Sequence, residues 1–446
     1  MFGYNKWSYS PYRPYFFEVG DIYICRVVPY ADKIHFEWLE NGDEYSVYYR
    51  LRGNEDFTFA GKTTNLHFDI ENLTEDKDYE FYVENTNGKS RVRLARTGKC
   101  VGNIVNYLHP ADEAYSFSGR YLCSPSLVRH PDGYLLASMD VYQGGAPQNL
   151  TLIFRSDDNG KNWHYVSELM PCFWGKMFIH KNELYMLSVN TEYGDLLIGK
   201  STDGGKTFCT PTVIARGAGG KNAQPGFHKN PQNIVHYNGR IYESVEWGHW
   251  QAGYHAAMVM SCDENDDLLV AENWTFSEPV KYEFSMAEHI EGTLTVSPEG
   301  KLVMIMRAGS DCEKIPMYEV DTQNLHAPVK NRSFITFPAH YSKFMIKFDE
   351  KSKKYYSVAT RIHANNGINR NLLSLMSSDN LKDWNVVKDI YDYRGVDDAH
   401  IGFQYVDFYF EGDDIIFLCR TALNGANNYH DSNYSTFDII ENFRNL

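Results

Sequence analysis

SDDNGKNW, residues 156–163, decides how this chain is read, because it recurs. STDGGKTF stands at 201–208 and a degenerate copy, SSDNLKDW, at 377–384. Each has Ser-x-Asp followed by an aromatic residue seven positions after the Ser, and the first two keep a Gly two after the Asp. Such a stretch makes a tight hairpin. The Asp side chain accepts N–H bonds within its own turn, Gly supplies a positive φ, and the aromatic ring fastens the turn to a sheet. A turn unit that returns along a chain predicts repeated sheets of one design.

The surrounding sequence supports the repeat. Beyond Gly102, paired apolar runs are joined by short turns: HPDG at His130, HKNE at His180, YNGR at Tyr237, PEGK at Pro298, DEKSKK at Asp349 and EGDD at Glu411. Six hairpins in this length predict an all-β fold, a six-bladed β-propeller over residues 101–446, with the Asn103–Tyr107 segment closing the ring. Upstream, residues 15–100 show short alternating strands with turn residues between them, the pattern of a small β-sandwich. Residues 1–14, rich in Tyr, Pro and Ser, read as an arm.

Bulk properties narrow the partners. The 446 residues carry a net charge of −15, which argues against nucleic acid and anionic membranes. No apolar run reaches the ~20 residues of a membrane span, and no signal peptide is visible, so a cytoplasmic protein is expected unless a leader has been removed. The eight Cys are scattered without a CxxC pair and read as free thiols. No cofactor or metal is expected; Glu246, His249 and His255 lie close together, but without a recognised ligand motif. The oligomeric state is not legible.

In a propeller, second strands end on the face opposite the hairpins. Those ends are Asp140, Asn190, Glu246, Arg307, Arg361 and Arg420, each a polar residue closing an apolar run. Innermost strands open on the same face with Arg120, Trp174 and Lys176, His228 and Asn230, His289 and Glu291, His340 and Lys343, and His400 and Gln404. Clustered arginines in an acidic protein need an anionic partner, and guanidinium forks match carboxylates. The expected ligand is therefore an oligosaccharide or glycan bearing an acidic sugar, with Trp174 among the rings placed to stack on it.

The repeated turn resembles the Asp-box of sialidase-like β-propellers, and the sandwich, with Trp38 in mid-strand and Leu73 before Tyr79, is similar to a fibronectin type III domain. The sialidase resemblance implies Arg120 as the arginine before the first inner strand and Asp140 as the general acid. It further implies Glu291 and Arg307 as the Glu–Arg pair, and Arg361 as the third member of an arginine triad. Its nucleophilic Tyr and the Glu of the last blade fall on Gln404 and Arg420; Tyr391, Tyr393 and Tyr405 are the candidate substitutes. Three functions stay open: an exo-acting sialidase-like glycosidase removing a terminal carboxylated sugar, a propeller polysaccharide lyase acting at a uronate, and a carbohydrate-binding propeller without catalysis. A lyase would draw its base from His228, His289, His400 or a Tyr.

Overall fold

The computed structural model describes residues 7, 21–217, 224–281, 289–309, 314–363 and 369–446. Among them there is no α-helix, and no helix is long and apolar enough to cross a membrane. Of the N-terminal arm only Trp7 is described, the rest of 1–14 and residues 15–20 lying outside. Trp7 is buried, its indole N–H donating to the Pro171 carbonyl at 2.8 Å, and it occupies the space that a Cβ on Gly199 would need.

The first strands make two sheets. One has three strands, Ile24–Pro29, Ile34–Trp38 and His67–Ile70, and the other has five, centred on Tyr45–Leu51 and Asp78–Asn85. Alternation along Ile34–Trp38 sends Phe36 and Trp38 inward, where they meet Tyr45, Val47 and Phe81. The Tyr79 hydroxyl accepts the Thr74 N–H at 2.9 Å, pinning the turn between strands. Buried Arg26 bonds the Val105 carbonyl at 2.7 Å, and buried Arg93 pairs with Asp112 at 2.7 Å; both tie the sandwich to the chain that follows.

From Asn103 onward the described residues form six consecutive antiparallel sheets, five of four strands and one enlarged to six. Innermost strands of successive sheets lie side by side, so the fold is an all-β propeller. The last sheet is composite: Gly402–Glu411, Asp414–Ala422 and Tyr434–Ile440 are completed by Asn103–Tyr107, with Tyr434 opposite Tyr107. This pairing locks the ring shut. We number the sheets as blades 1 to 6 in chain order, starting from Tyr121–Arg129.

The repeated turns obey their local chemistry. Asp158 Oδ1 accepts from Ser156 Oγ at 2.8 Å and from the Asn162 N–H at 2.9 Å, while Gly160 takes a φ of 85°. Asp203 repeats this with Ser201 and Thr207. In the third copy, Leu381 holds the left-handed position at a φ of 66°, and the Trp384 indole bonds its carbonyl as Trp163 bonds that of Gly160. The accepting side chain, however, is Asn380 rather than Asp379. Asn380 Oδ1 receives the Lys382 and Asp383 N–H groups, with Leu381 at the glycine's position.

Four innermost strands share a feature invisible in the hairpin pattern. Between Cys123 and Ser126, Phe173 and Lys176, Ile290 and Thr293, and Gln404 and Asp407, three steps on the inner strand face two on its neighbour. Each is a β-bulge, and within each a non-glycine residue has positive φ: Ser124 (51°), Trp174 (51°), Glu291 (56°) and Tyr405 (58°). Left-handed backbone costs such residues about 1–3 kcal/mol, and strain of this kind clusters where side chains must be aimed.

Candidate active site

Two bulge residues meet. The Tyr405 hydroxyl donates to Glu291 Oε1 at 2.6 Å, and Arg307 Nη1 donates to Glu291 Oε2 at 2.6 Å and to the Tyr405 oxygen at 3.2 Å. Burial pushes the Glu291 carboxyl up, but Arg307, His228 and the Tyr405 hydroxyl outweigh it and hold the pKa down at about 2. For Tyr405, burial and the neighbouring Glu291 raise the phenol's pKa, against the pull of three arginines, Arg307, Arg370 and Arg420.

Those arginines surround the tyrosine. The Arg420 guanidinium lies 5.1 Å from the Tyr405 ring centre, and Arg307 and Arg370 lie 5.8 and 5.4 Å from the ring of Tyr341. Arg370 is held by Gln404 Oε1, and Gln404 in turn donates to the Tyr429 carbonyl at 2.6 Å. Arg420 is held by the His430 carbonyl. Burial, with the proximity of Arg307 and Arg420, lowers the pKa of Arg370 against the pull of Tyr405 and Glu291.

Across from this group stands a second cluster. His228 Nδ1 pairs with Glu246 Oε2 at 2.7 Å, and Glu246 Oε1 accepts the Gly292 N–H at 3.2 Å, next to Glu291. Trp174 sits edge-on to His228 at 4.4 Å, and Tyr193 packs against both. Glu192, half-buried, receives Gln148 Nε2 at 2.9 Å and lies in the electrostatic reach of Tyr142 and Tyr193.

Asp140 lies beneath Trp174, wholly buried. It accepts the Thr151 hydroxyl at 2.5 Å and the Trp174 N–H at 2.6 Å, and burial pushes its carboxyl up to about 7 against these bonds. It anchors the Trp174 bulge and has no open side to offer a sugar.

Several sequence candidates lie elsewhere. Arg361 is outside the arginine group because Asp389, on the outermost strand of the same blade, takes its guanidinium through two 2.9 Å bonds. Arg120 pairs with Glu113 at the surface at 2.8 Å. Tyr391 is held in the core between Phe403 and Phe417, its hydroxyl given to Asp438. Asn190 caps its own loop by accepting the Asp195 N–H at 2.8 Å. His400 is exposed and paired with Asp397 at 3.1 Å. His289 is buried against the Tyr318 hydroxyl at 3.0 Å, and burial drops its pKa to about 4. His340 shares with Arg361 a shallow groove that also includes Pro338 and Val386. Lys343 lies on the propeller axis below Tyr405, donating to the Val406 carbonyl at 3.2 Å. Gln404 serves Arg370 rather than standing in for the tyrosine.

Arg370 and Glu192 are the members that the sequence reading missed, and Tyr405 is one of the three tyrosines it left open. Arg370 had a findable signal. It precedes the third strand of blade 5, Leu372–Ser378, and third strands begin on the face where second strands end.

No protein-family model matches the chain. No curated protein sequence matches it either. Among solved structures, an α-L-arabinanase of Penicillium chrysogenum superposes with a TM-score of 0.50 at 14% identity, covering 78% of this chain and 99% of its own. A leech intramolecular trans-sialidase superposes at 0.52 and 9% identity, covering 95% of this chain and 91% of its own. A Dyadobacter fermentans protein of unknown function gives 0.52 at 12% identity over 76% of this chain and 98% of its own. At these identities the likeness is one of fold, that of β-propellers found among glycoside-active enzymes.

Proposed function

We propose that the protein is a carbohydrate-active enzyme, a retaining, sialidase-like exo-glycosidase for a terminal carboxylated sugar. The observation that carries this reading is the Tyr405–Glu291 hydrogen bond set among Arg307, Arg370 and Arg420. A tyrosine bonded to an ionised carboxylate is an activated nucleophile, and three guanidinium groups beside it supply the counter-charge for a substrate carboxylate. In the first step the Tyr405 oxygen attacks the anomeric carbon and its proton passes to Glu291. The leaving-group oxygen takes a proton from Glu192, the half-buried side chain on the side of Trp174 and Tyr193, which enters the step as the carboxylic acid. Water then attacks the glycosyl-tyrosine, giving a proton to Glu192 as the Tyr405 oxygen recovers its own. That a trans-sialidase shares the fold makes sialic acids the first sugars to test.

The test is incubation with aryl sialosides and aryl uronides, followed by trapping with a fluorinated analogue whose glycosyl-enzyme turns over slowly. Release of the aryl group and a mass increase on the peptide containing Tyr405 are expected. No release from either class, or a label on a carboxylate, overturns the proposal. A lyase acting at a uronate is the second reading, favoured by the His228–Glu246 pair, which resembles a held proton-transfer base. It predicts ultraviolet absorbance from an unsaturated uronate, which a hydrolase does not generate.

A further inference from the structure

The inner strands that bear the candidate site at one end line a separate cavity at the other. Past Glu291 comes Leu294, and past Tyr405 come Tyr409 and Phe410; at about 3.3 Å per residue these lie on the order of 10–15 Å further along the axis. The cavity holds about 970 Å³, at the upper end of what a drug-sized molecule occupies. Its walls are mostly apolar, with Phe178, Leu294, Ile346 and Phe348 among them, and it opens on the hairpin face between turns such as that of Pro298.

Its floor is charged. Lys176, Lys343 and Lys347 gather around Asp407, which ion-pairs with Lys176 and Lys347 and lies within electrostatic reach of Lys343. Asp407 is engaged by Lys176 and by the Leu127 N–H at 2.8 Å, and Lys347 stands 3.7 Å from its other oxygen. Lys347 caps the cavity floor, its ammonium 3.7 Å from the centre of the Tyr409 ring. The charges at the rim are already matched: Arg129 with Glu411, Glu350 with Lys353, and Asp379 with Lys354. Three lysines around one carboxylate favour a further anion, although buried Glu243, paired with Lys229, also lies within reach of Lys176. Burial, only partly offset by Asp407, and repulsion from Lys176 push both Lys343 and Lys347 down to about 7.

We infer that this cavity is a second ligand site, which takes a small organic anion with an apolar body, its acidic head at Lys347 and its body against Phe178, Leu294 and Phe348. A bare inorganic anion would leave the walls empty, and a neutral hydrophobe would gain nothing from the Lys347 ammonium, which the Phe408 carbonyl and Asp407 hold at the floor. The inference is independent of the reaction at Tyr405.

The probe is 8-anilinonaphthalene-1-sulfonate, titrated into the full-length protein with fluorescence as readout. One bound probe per chain is expected, displaced by decanoate but not by inorganic sulfate. Lys347→Met should weaken binding about tenfold or more, the scale of one lost charge-assisted hydrogen bond. Uncharged N-phenyl-1-naphthylamine should bind wild type and Lys347→Met alike. Val296→Trp, at the cavity wall, should block the probe by bulk even if Lys347→Met fails to fold. Arg370→Lys separates this site from the arginine group and should leave probe affinity unchanged. Absence of binding, binding indifferent to both cavity variants, or binding lost in Arg370→Lys overturns the inference.

Discussion

The Tyr405 hydroxyl donates to Glu291 Oε1 at 2.6 Å, although the two residues stand 114 positions apart in the chain. Both occupy the positive-φ position of a bulge, so the same backbone device aims nucleophile and base at one point. Tyr405→Phe, which removes the attacking oxygen, should cut kcat/KM by about 10⁴-fold or more and leave the melting temperature near wild type. Glu291→Gln should cut turnover by about 10²–10⁴-fold, the range of a lost proton-transfer partner, and also lower the melting temperature, because buried Arg307 loses its counter-charge. Activity retained in Tyr405→Phe would remove the tyrosine from the chemistry.

Arg370 and Arg361 form a matched pair of tests, since both belong to blade 5 and only one joins the arginine group. Arg370→Lys keeps the charge but loses the fork that faces Tyr341 and Gln404. A charge-assisted hydrogen bond is worth roughly 1.5–3 kcal/mol, so kcat/KM on an acidic sugar should fall about 10–150-fold. Arg361→Lys, which only loosens the pairing with Asp389, should change kcat/KM by less than about twofold. Steady-state kinetics on both variants decide which arginine meets the carboxylate.

Glu192→Gln should show its effect through the leaving group. If Glu192 protonates the departing oxygen, the variant loses about 10²–10⁴-fold on a natural disaccharide, yet retains most of its first-step rate on a nitrophenyl glycoside that needs no proton. Equal losses on both substrates would point to binding rather than proton donation. Melting curves should be unchanged, because Gln148 can hydrogen-bond a glutamine as readily as a glutamate.

Asp140 makes stability depend on pH. Burial raises its carboxyl from 3.8 to about 7 in the folded protein, so the folded state holds the proton more tightly than the unfolded chain. Its contribution to stability is fully present below about pH 4, declines as pH rises, and is lost above about 7. Asp140→Asn removes that dependence. The melting temperature of the variant relative to wild type should therefore rise between pH 5 and pH 8. A difference that stays flat, or runs the other way, would show that Asp140 is ionised throughout.

The chain's sequence alone determined what depends on near neighbours. Ser156, Asp158, Gly160 and Trp163 close their turn within eight residues, and those contacts are set by local chemistry. Repetition of that unit and of apolar hairpins was enough for the all-β propeller and for the face on which second strands end, and it brought Glu291, Arg307 and Arg420 into view. The third turn departs from this pattern: Leu381 stands at the glycine's position, and Asn380 rather than Asp379 accepts the turn's N–H groups.

Tertiary structure decided the rest. Side chains alternate along a strand with a period of two, so one extra residue in a bulge reverses which neighbour faces the site. That is why Gln404 turns back to hold Arg370 while Tyr405 faces Glu291. Arg361 and Arg370 look equally suited in sequence, and strand pairing separates them: Asp389 lies beside one and Gln404 beside the other. Asp140 ends an apolar strand as an active-site acid should, but the Trp174 bulge from the next blade closes over it. Each outcome rests on a contact between residues 28 to 114 positions apart, whose partners are brought together only by sheet pairing and closure of the ring.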